Sequence, residues 1–236
     1  MATPDEIRAE HERAAGEIAE WEYMKKLPKE WFGFSYHSIL QSHEDFFDVF
    51  SYVNEKLHRS AIFYYHSETH EYKLRVQIGL TEFCRIEYIA PNLKVMERLF
   101  SEQFETMLHN MAEFNMDTIS IIVKEKNILA WDYSSRLPDV LEGFELFIRP
   151  SQPVRVLNGS YIVFDYSDFA IDSNFIIYYN VFRDEFFGEA RINNIPEMNY
   201  TFDSSDIAGL EEKLDKFLLP RLREIRERAG KAEAAT

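Results

Sequence analysis

Two histidines and three aspartates are the side chains whose types and spacing come nearest to chemistry. In His66-Ser67-Glu68-Thr69-His70-Glu71 the histidines stand four apart, which on a helix would turn both to one face as metal ligands. Here they flank a polar turn between two alternating segments, so they converge only across that turn, and no third or fourth ligand is placed by spacing. Glu71-x-Lys73 has the form of the acidic-x-Lys half of a metal-dependent nuclease motif, in which the carboxylate holds the ion and the lysine assists the attacking water. Alternation sends both to a solvated face opposite Tyr72 and Leu74. Asp165, Asp168 and Asp172 make the second cluster. A calcium loop would need a mid-loop glycine and a terminal glutamate that the chain lacks, and on a strand Asp165 and Asp168 point to opposite faces. Turn-forming aspartates are the competing reading. His66, His70, Asp165 and Asp168 are thus the residues of a dispersed metal or acid/base site, if the chain has one.

The lone cysteine, Cys84, alternates in phase with Ile86 and Tyr88, which puts it on the buried face as a small apolar group rather than a nucleophile. Gly-x-Gly-x-x-Gly, a phosphate-cradling Gly-Lys-Ser/Thr loop, Gly-x-Ser-x-Gly, His-Glu-x-x-His and Cys-x-x-Cys are all absent. No cofactor is expected.

The elements that must position these residues follow from periodicity. Pro4 to Leu27 reads as a helix with a thin apolar stripe, ended by Pro28. Trp31, Phe32, Phe34 and Tyr36 read as an extended strand or packed loop. Ser42 offers an N-cap, and Phe46, Val49, Phe50, Val53 and Leu57 fall at helical spacing, so a helix is expected there. The period then drops to two. Ala61 to His66, Tyr72 to Ile78 and Phe83 to Ile89 are strands with one apolar and one solvated face, the signature of an antiparallel meander with helices on a single face. Leu93, Met96, Phe100, Phe104, Met107 and Met111 form the stripe of a core helix, and a further hairpin is expected from Thr118 to Lys124 and Asn127 to Trp131. After Pro138 come strands at Phe144–Ile148, Tyr161–Asp165, Phe175–Phe182 and Phe186–Ile192, with turns at Asn158-Gly159 and Arg183-Asp184-Glu185. Phe175 to Tyr179 is apolar on both faces, as in a central strand or one that meets another subunit. A last helix carries Ile207, Leu210, Leu214, Leu218, Leu222 and Ile225, kinked or broken at Pro220.

Ile62-Phe63-Tyr64-Tyr65 lies 114 positions before Ile176-Ile177-Tyr178-Tyr179, and Met96 to Met111 stands at the same offset from Leu210 to Ile225. A duplicated strand-and-helix unit fits this spacing downstream of Ser60. Upstream the match fails, because a helix at 42–57 would have to equal the strand around Tyr161. The expectation is an α+β protein of two antiparallel sheet units, each closed by a long amphipathic helix. Its divisions are an N-terminal helix and aromatic linker (1–34), a first unit (35–134) and a second unit (135–236), or one continuous domain. The order helix, three strands, helix, two strands over residues 42–131 resembles that of small acidic bacterial secretion chaperones, a likeness of topology that implies binding of other proteins through a sheet and helix surface.

Composition bounds the function. The chain has 236 residues, 46% of them hydrophobic and 15% aromatic, so it can build a core. One thiol forms no internal disulfide and no basic segment followed by an apolar run opens the sequence, so a reducing cytoplasm is expected. No run is long and apolar enough to suggest a membrane span. With 26 basic against 41 acidic residues the formal charge is −15, which opposes nucleic acid and anionic lipid. The cations Arg221, Arg223, Arg226, Arg228 and Lys231 suit the C-terminal end of the last helix. Val163 to Asp206 carries nine acidic residues against Arg183 and Arg191, a surface that confers solubility or faces a basic partner. The expected function is a non-enzymatic protein-binding factor of the adaptor, immunity or chaperone-like kind. Tyr178, Tyr179, Asp184 and Glu185 would meet the partner protein, and self-association is a further option. The alternative is an enzyme or small-ligand domain using the dispersed His/Asp set.

Overall fold

The computed structural model describes residues 4–233, with side chains through 230, so the side chain of Lys231 lies outside the described part. The chain divides into two units, Met1–Phe114 and Asn115–Thr236. In the first, α1 (Pro4–Ala19) and a 3-10 turn (Glu22–Lys26) lead into β1 (Glu30–Trp31), β2 (Phe34–Ser42), β3 (Phe46–Asn54), β4 (Arg59–His66), β5 (Glu71–Ile78) and β6 (Thr81–Cys84). These six pair in chain order as an antiparallel meander. α2 (Leu93–Leu99) and α3 (Glu105–Ala112), joined through a π-helical turn at Phe100–Phe104, close it. The second unit runs α4 (Ile121–Glu125), a 3-10 turn (Asp132–Arg136), β7 (Val140–Leu141), β8 (Phe144–Ile148), β9 (Val154–Arg155), β10 (Ser160–Asp168), β11 (Ser173–Asn180), β12 (Glu185–Ile192), β13 (Ile195–Ser204) and α5 (Ile207–Glu233). Its sheet is ordered β13-β12-β11-β10-β8-β7, with β9 beside β10. The α+β architecture of two helix-closed antiparallel sheets is therefore present.

Tilted and edge-to-face aromatic packing makes the first core. Phe50 and Phe63 lie 5.9 and 5.3 Å from Phe100, and Tyr52 lies 5.5 Å from Phe104, all between sheet and closing helix. The second core is aliphatic on the helix side, where Leu210, Leu214, Leu218, Leu222 and Ile225 are buried. The helical period of α5 runs through Pro220 without a break.

Three expectations change. Phe46–Asn54 is a strand, β3, not a helix. Eight of its nine residues are aromatic, β-branched, or small and polar, and it is covered on both faces, so its apolar residues mimic helical spacing. The segment 118–131 is not a hairpin but short helical turns around α4, whose start Ser120 caps. The strand expected at Phe83–Ile89 stops at Cys84, and Ile86–Tyr88 forms a 3-10 turn with Ile86 exposed and Tyr88 buried. With a strand at 46–54 and no hairpin at 118–131, the element order of residues 42–131 departs from that of the secretion chaperones.

Making β3 a strand also restores the repeat upstream of Ser60. β3, β4, β5 and the start of β6 map onto β10, β11, β12 and β13 at the offset of 114. Further upstream, at an offset of 110, Trp21-Glu22-Tyr23 and Leu27-Pro28, Gly33-Phe34 match Trp131-Asp132-Tyr133, Leu137-Pro138 and Gly143-Phe144. The four-residue difference falls in the longer β8–β10 connection. The matched residues do matched work. The Trp21 indole donates to Glu97 at 2.9 Å and that of Trp131 to Glu211 at 2.6 Å. The Tyr52 hydroxyl donates to the Pro28 carbonyl at 2.7 Å, and Tyr166 to Pro138 at 2.8 Å. Phe32-Gly33 and Glu142-Gly143 all have positive φ (50° and 78°; 52° and 82°), the type I′ pair that turns each first hairpin with the right twist.

The two tyrosine bonds should therefore be equivalent. Tyr52→Phe and Tyr166→Phe each strand a proline carbonyl and should each cost about 1–2 kcal/mol in denaturant-induced unfolding. A cost near zero at both positions would show that water replaces the hydroxyl.

Candidate functional site at the edge of the second sheet

β13 is the last strand of its sheet, and its outer backbone edge has no neighbouring strand in the described structure. Its pairing with β12 is interrupted. Gly188 faces Asn199 and Phe186 faces Ser204, so Tyr200–Asp203 stand opposite Phe187 alone. Such a bulge twists the strand and re-aims its side chains. Phe202 turns inward and is fully buried, while Tyr200 is thrown out at 74% exposure. Gly188 allows this, since a Cβ there would come within 3.2 Å of the Phe202 ring. The first unit has the same device. Arg85 donates to the Leu74 carbonyl and Ala90 bridges Tyr72, which leaves Ile86 exposed and Tyr88 buried between them.

Next to the second bulge, β13 and α5 enclose a groove of about 410 Å³, lined by Met198, Tyr200, Phe202, Phe217 and Pro220. Four charges clamp its rim. Glu197 accepts from Arg221 at 2.7 Å and from Arg228 at 2.6 and 3.0 Å, and Glu224 pairs with both arginines. Arg228 and Arg221, donating to it, hold the Glu197 carboxyl down at about 2. Ile195 and Met198 are also exposed along β13, so the site combines a strand edge without a neighbouring strand, where Asn199 and Lys213 already answer the Thr201 N–H and the Asp203 carbonyl, with a slot of mixed apolar and polar lining.

The residues singled out from the sequence lie elsewhere. His66 and His70 belong to the first unit, Asp165 and Asp168 to the second. The His66 Nδ1 accepts from the Thr69 backbone N–H at 3.3 Å and closes its own turn. The His70 Nδ1 is 3.2 Å from Glu10 Oε2, in a cluster where Tyr65 and Arg13 donate to the same oxygen at 2.6 and 2.8 Å. Arg13 and Tyr65 thereby hold Glu10 at about 2. Asp168 caps its turn through the Ala170 N–H and pairs with Arg226 at 2.7 Å. Among the described residues no group of three or more His, Cys, Asp or Glu side chains is placed to hold a metal ion. Cys84 is half-buried, and burial raises its thiol pKa above the ordinary value.

Tyr178 and Tyr179 are buried. The Tyr179 hydroxyl donates to Asp184 at 2.7 Å, Lys126 donates to the same carboxylate oxygen at 2.6 Å, and Glu185 pairs with Arg183. The acidic run from Val163 to Asp206 is thus largely answered within its own unit. Asp168 and Glu197 meet α5, Glu189 meets Arg191 at 3.6 Å, and Asp184 and Glu185 meet Lys126 and Arg183. The exposed aromatics are instead Tyr200 and Phe182. Sequence reading missed Tyr200 because a bulge four residues long leaves no periodic trace.

Among the described residues Asp165 is the one carboxyl taken wholly out of water. Burial pushes its pKa up to about 7, against the donors Ser167 Oγ at 2.9 Å and Asn174 Nδ2 at 3.4 Å. Asn174 Oδ1 is buried with no donor, which a protonated Asp165 can supply. Compared with protein-family models, curated proteins and solved structures, the chain matches none. No described helix is long and apolar enough to cross a membrane.

The Asp165 proton makes stability depend on pH. The unfolded carboxyl titrates near 3.8 and the folded one near 7, so the native state binds more protons between them. Its contribution falls as pH rises through that window and is level above it. Asp165→Asn should leave stability at pH 4 nearly unchanged and raise it at pH 8, on the order of 4 kcal/mol, in paired denaturation curves. A variant destabilised equally at both pH values would refute the buried-acid account.

Proposed function

We propose that the chain is a non-enzymatic protein-binding factor, of the adaptor, immunity or chaperone-like kind, that receives an extended segment of a partner along β13. The observation that carries this reading is the bulged edge of β13, without a neighbouring strand in the described structure, beside a groove in which Met198, Tyr200, Phe202 and Phe217 stand among polar side chains. An edge of free N–H and C=O groups is complementary to one kind of ligand, another extended backbone, which continues the ladder and seats alternate side chains in adjoining slots. Pro196 removes one donor from the β13 edge and limits pairing with a second copy of the same strand. With the acidic run largely paired inside its own unit, backbone pairing and the exposed side chains of β13, rather than net charge, supply the affinity here. Met198 and Tyr200 are the anchors, in the manner of interfaces where a few large side chains dominate.

Random extended peptides displayed and selected on the purified protein provide the ligand for a test. A selected peptide should protect the β13 amides from hydrogen exchange. Tyr200→Asp together with Met198→Asp should weaken it at least 10-fold, about 1.4 kcal/mol, while Ile86→Asp in the first unit should not. Protection confined to other elements, or unchanged affinity in the double variant, would overturn the proposal.

A further inference from the structure

The first unit carries a second cleft, of about 510 Å³, between the first half of α1, the β2–β3 turn and the β4–β5 turn. Its walls at Pro4 and Ile7 are apolar, and its rim holds Glu44, Asp45 and Glu68. The turns are tied together where the Ser67 backbone N–H and hydroxyl donate to the Asp45 carbonyl at 2.9 and 2.6 Å, so the carboxylates are carried on a fixed frame. Among the described residues none of these three carboxylates is in an ion pair, unlike the acidic run of the second unit. The one cation lining the cleft, Arg8, is engaged by Glu12 at 3.1 Å.

His11 lines the same cleft and is 95% buried, since only 5% of its surface is exposed. Its Nε2 has no hydrogen-bond partner. A buried polar atom left without a partner costs on the order of a hydrogen bond's desolvation and calls for an explanation. Burial and the neighbouring His43 hold the imidazole below its ordinary pKa, hence neutral. His43 is itself occupied by Asp48, 3.2 Å from its Nε2. A neutral imidazole nitrogen in a cleft that also has an apolar wall and three carboxylates outside any ion pair suits a compact N–H donor of positive charge on an aliphatic stem.

We propose that this cleft binds a primary alkylammonium group, with His11 Nε2 accepting one N–H, Asp45 and Glu68 balancing the charge, and Ile7 covering the methylene stem. Such a group is a lysine side chain of a bound protein or a free aliphatic diamine. The site is separate from the β13 groove and stands whether or not that groove binds peptide.

The test follows the imidazole nitrogen signals of His11 by NMR while 1,5-diaminopentane, or a short peptide with one central lysine, is added at constant ionic strength. A saturable shift of the His11 signals is expected, absent with sodium chloride and with the same peptide bearing norleucine for lysine. In calorimetric titrations with the same probes, which need no His11 signal, Glu68→Gln should weaken binding about 3-fold, as expected for one exposed ion pair, and His11→Phe should abolish it. Tyr200→Asp should change nothing. Tighter binding of the peptide assigns the site to a protein lysine, tighter binding of the diamine to a free polyamine. No saturation with either probe, or equal binding by Glu68→Gln and His11→Phe, overturns the proposal.

Discussion

A proline carbonyl bonded by a buried tyrosine at the entry to each sheet sets the frame for the rest. In both units a Leu-Pro step brings the chain from a 3-10 turn into a type I′ hairpin, and the proline carbonyl meets a tyrosine hydroxyl from a central strand. The indole of the same segment reaches a glutamate on the closing helix. These two bonds pin one short stretch to both layers at once, sheet and helix, and so set where the helix lies on the meander. An unmade bond at such a place is expensive because the tyrosine hydroxyl belongs to a fully buried side chain. Direction and register of the whole unit depend on it.

With the closing helix so placed, the last strand has no neighbour beyond it and must end its pairing within the unit. Both units do so with the same bulge, one large side chain turned in and the next but one before it turned out. The difference between them is in what is turned out and what stands beside it. Ile86 sits by a short strand, whereas Tyr200 and Met198 sit on a ten-residue strand beside Phe217 and Pro220. Duplicated frames with unlike surfaces are how one fold acquires a site in only one of its copies.

Charge takes a different course in each half. In the second unit the acidic strands and the basic end of α5, which look like opposed poles along the chain, are each other's partners. Arg221 and Arg228 grip Glu197, and Arg226 grips Asp168. In the first unit the carboxylates of Glu44, Asp45 and Glu68 at the β2–β3 and β4–β5 turns have no such answer among the described residues, and a buried histidine lines the same cleft. Net charge is nearly equal in the two halves, yet only the first leaves a concentrated negative opening.

By itself the sequence determined the meander of alternating segments from Ala61 to Ile78, the amphipathic closing helices, and the repeat at 114 positions, because these rest on local period and spacing. It misled at Phe46–Asn54, where a strand covered on both faces has no period of two and its apolar residues fall by accident at helical spacing. It was silent on the bulge at Tyr200–Asp203, on the unpartnered His11 and on the raised Asp165, since each depends on what lies opposite in space. Tyr178 and Tyr179 show the same limit: residue type suggests a recognition surface, but only tertiary packing decides that their rings are buried and that Tyr200 and Phe182 are left in water. Local pattern sets which elements form, and burial, a property of the assembled layers, sets which side chains remain free to bind.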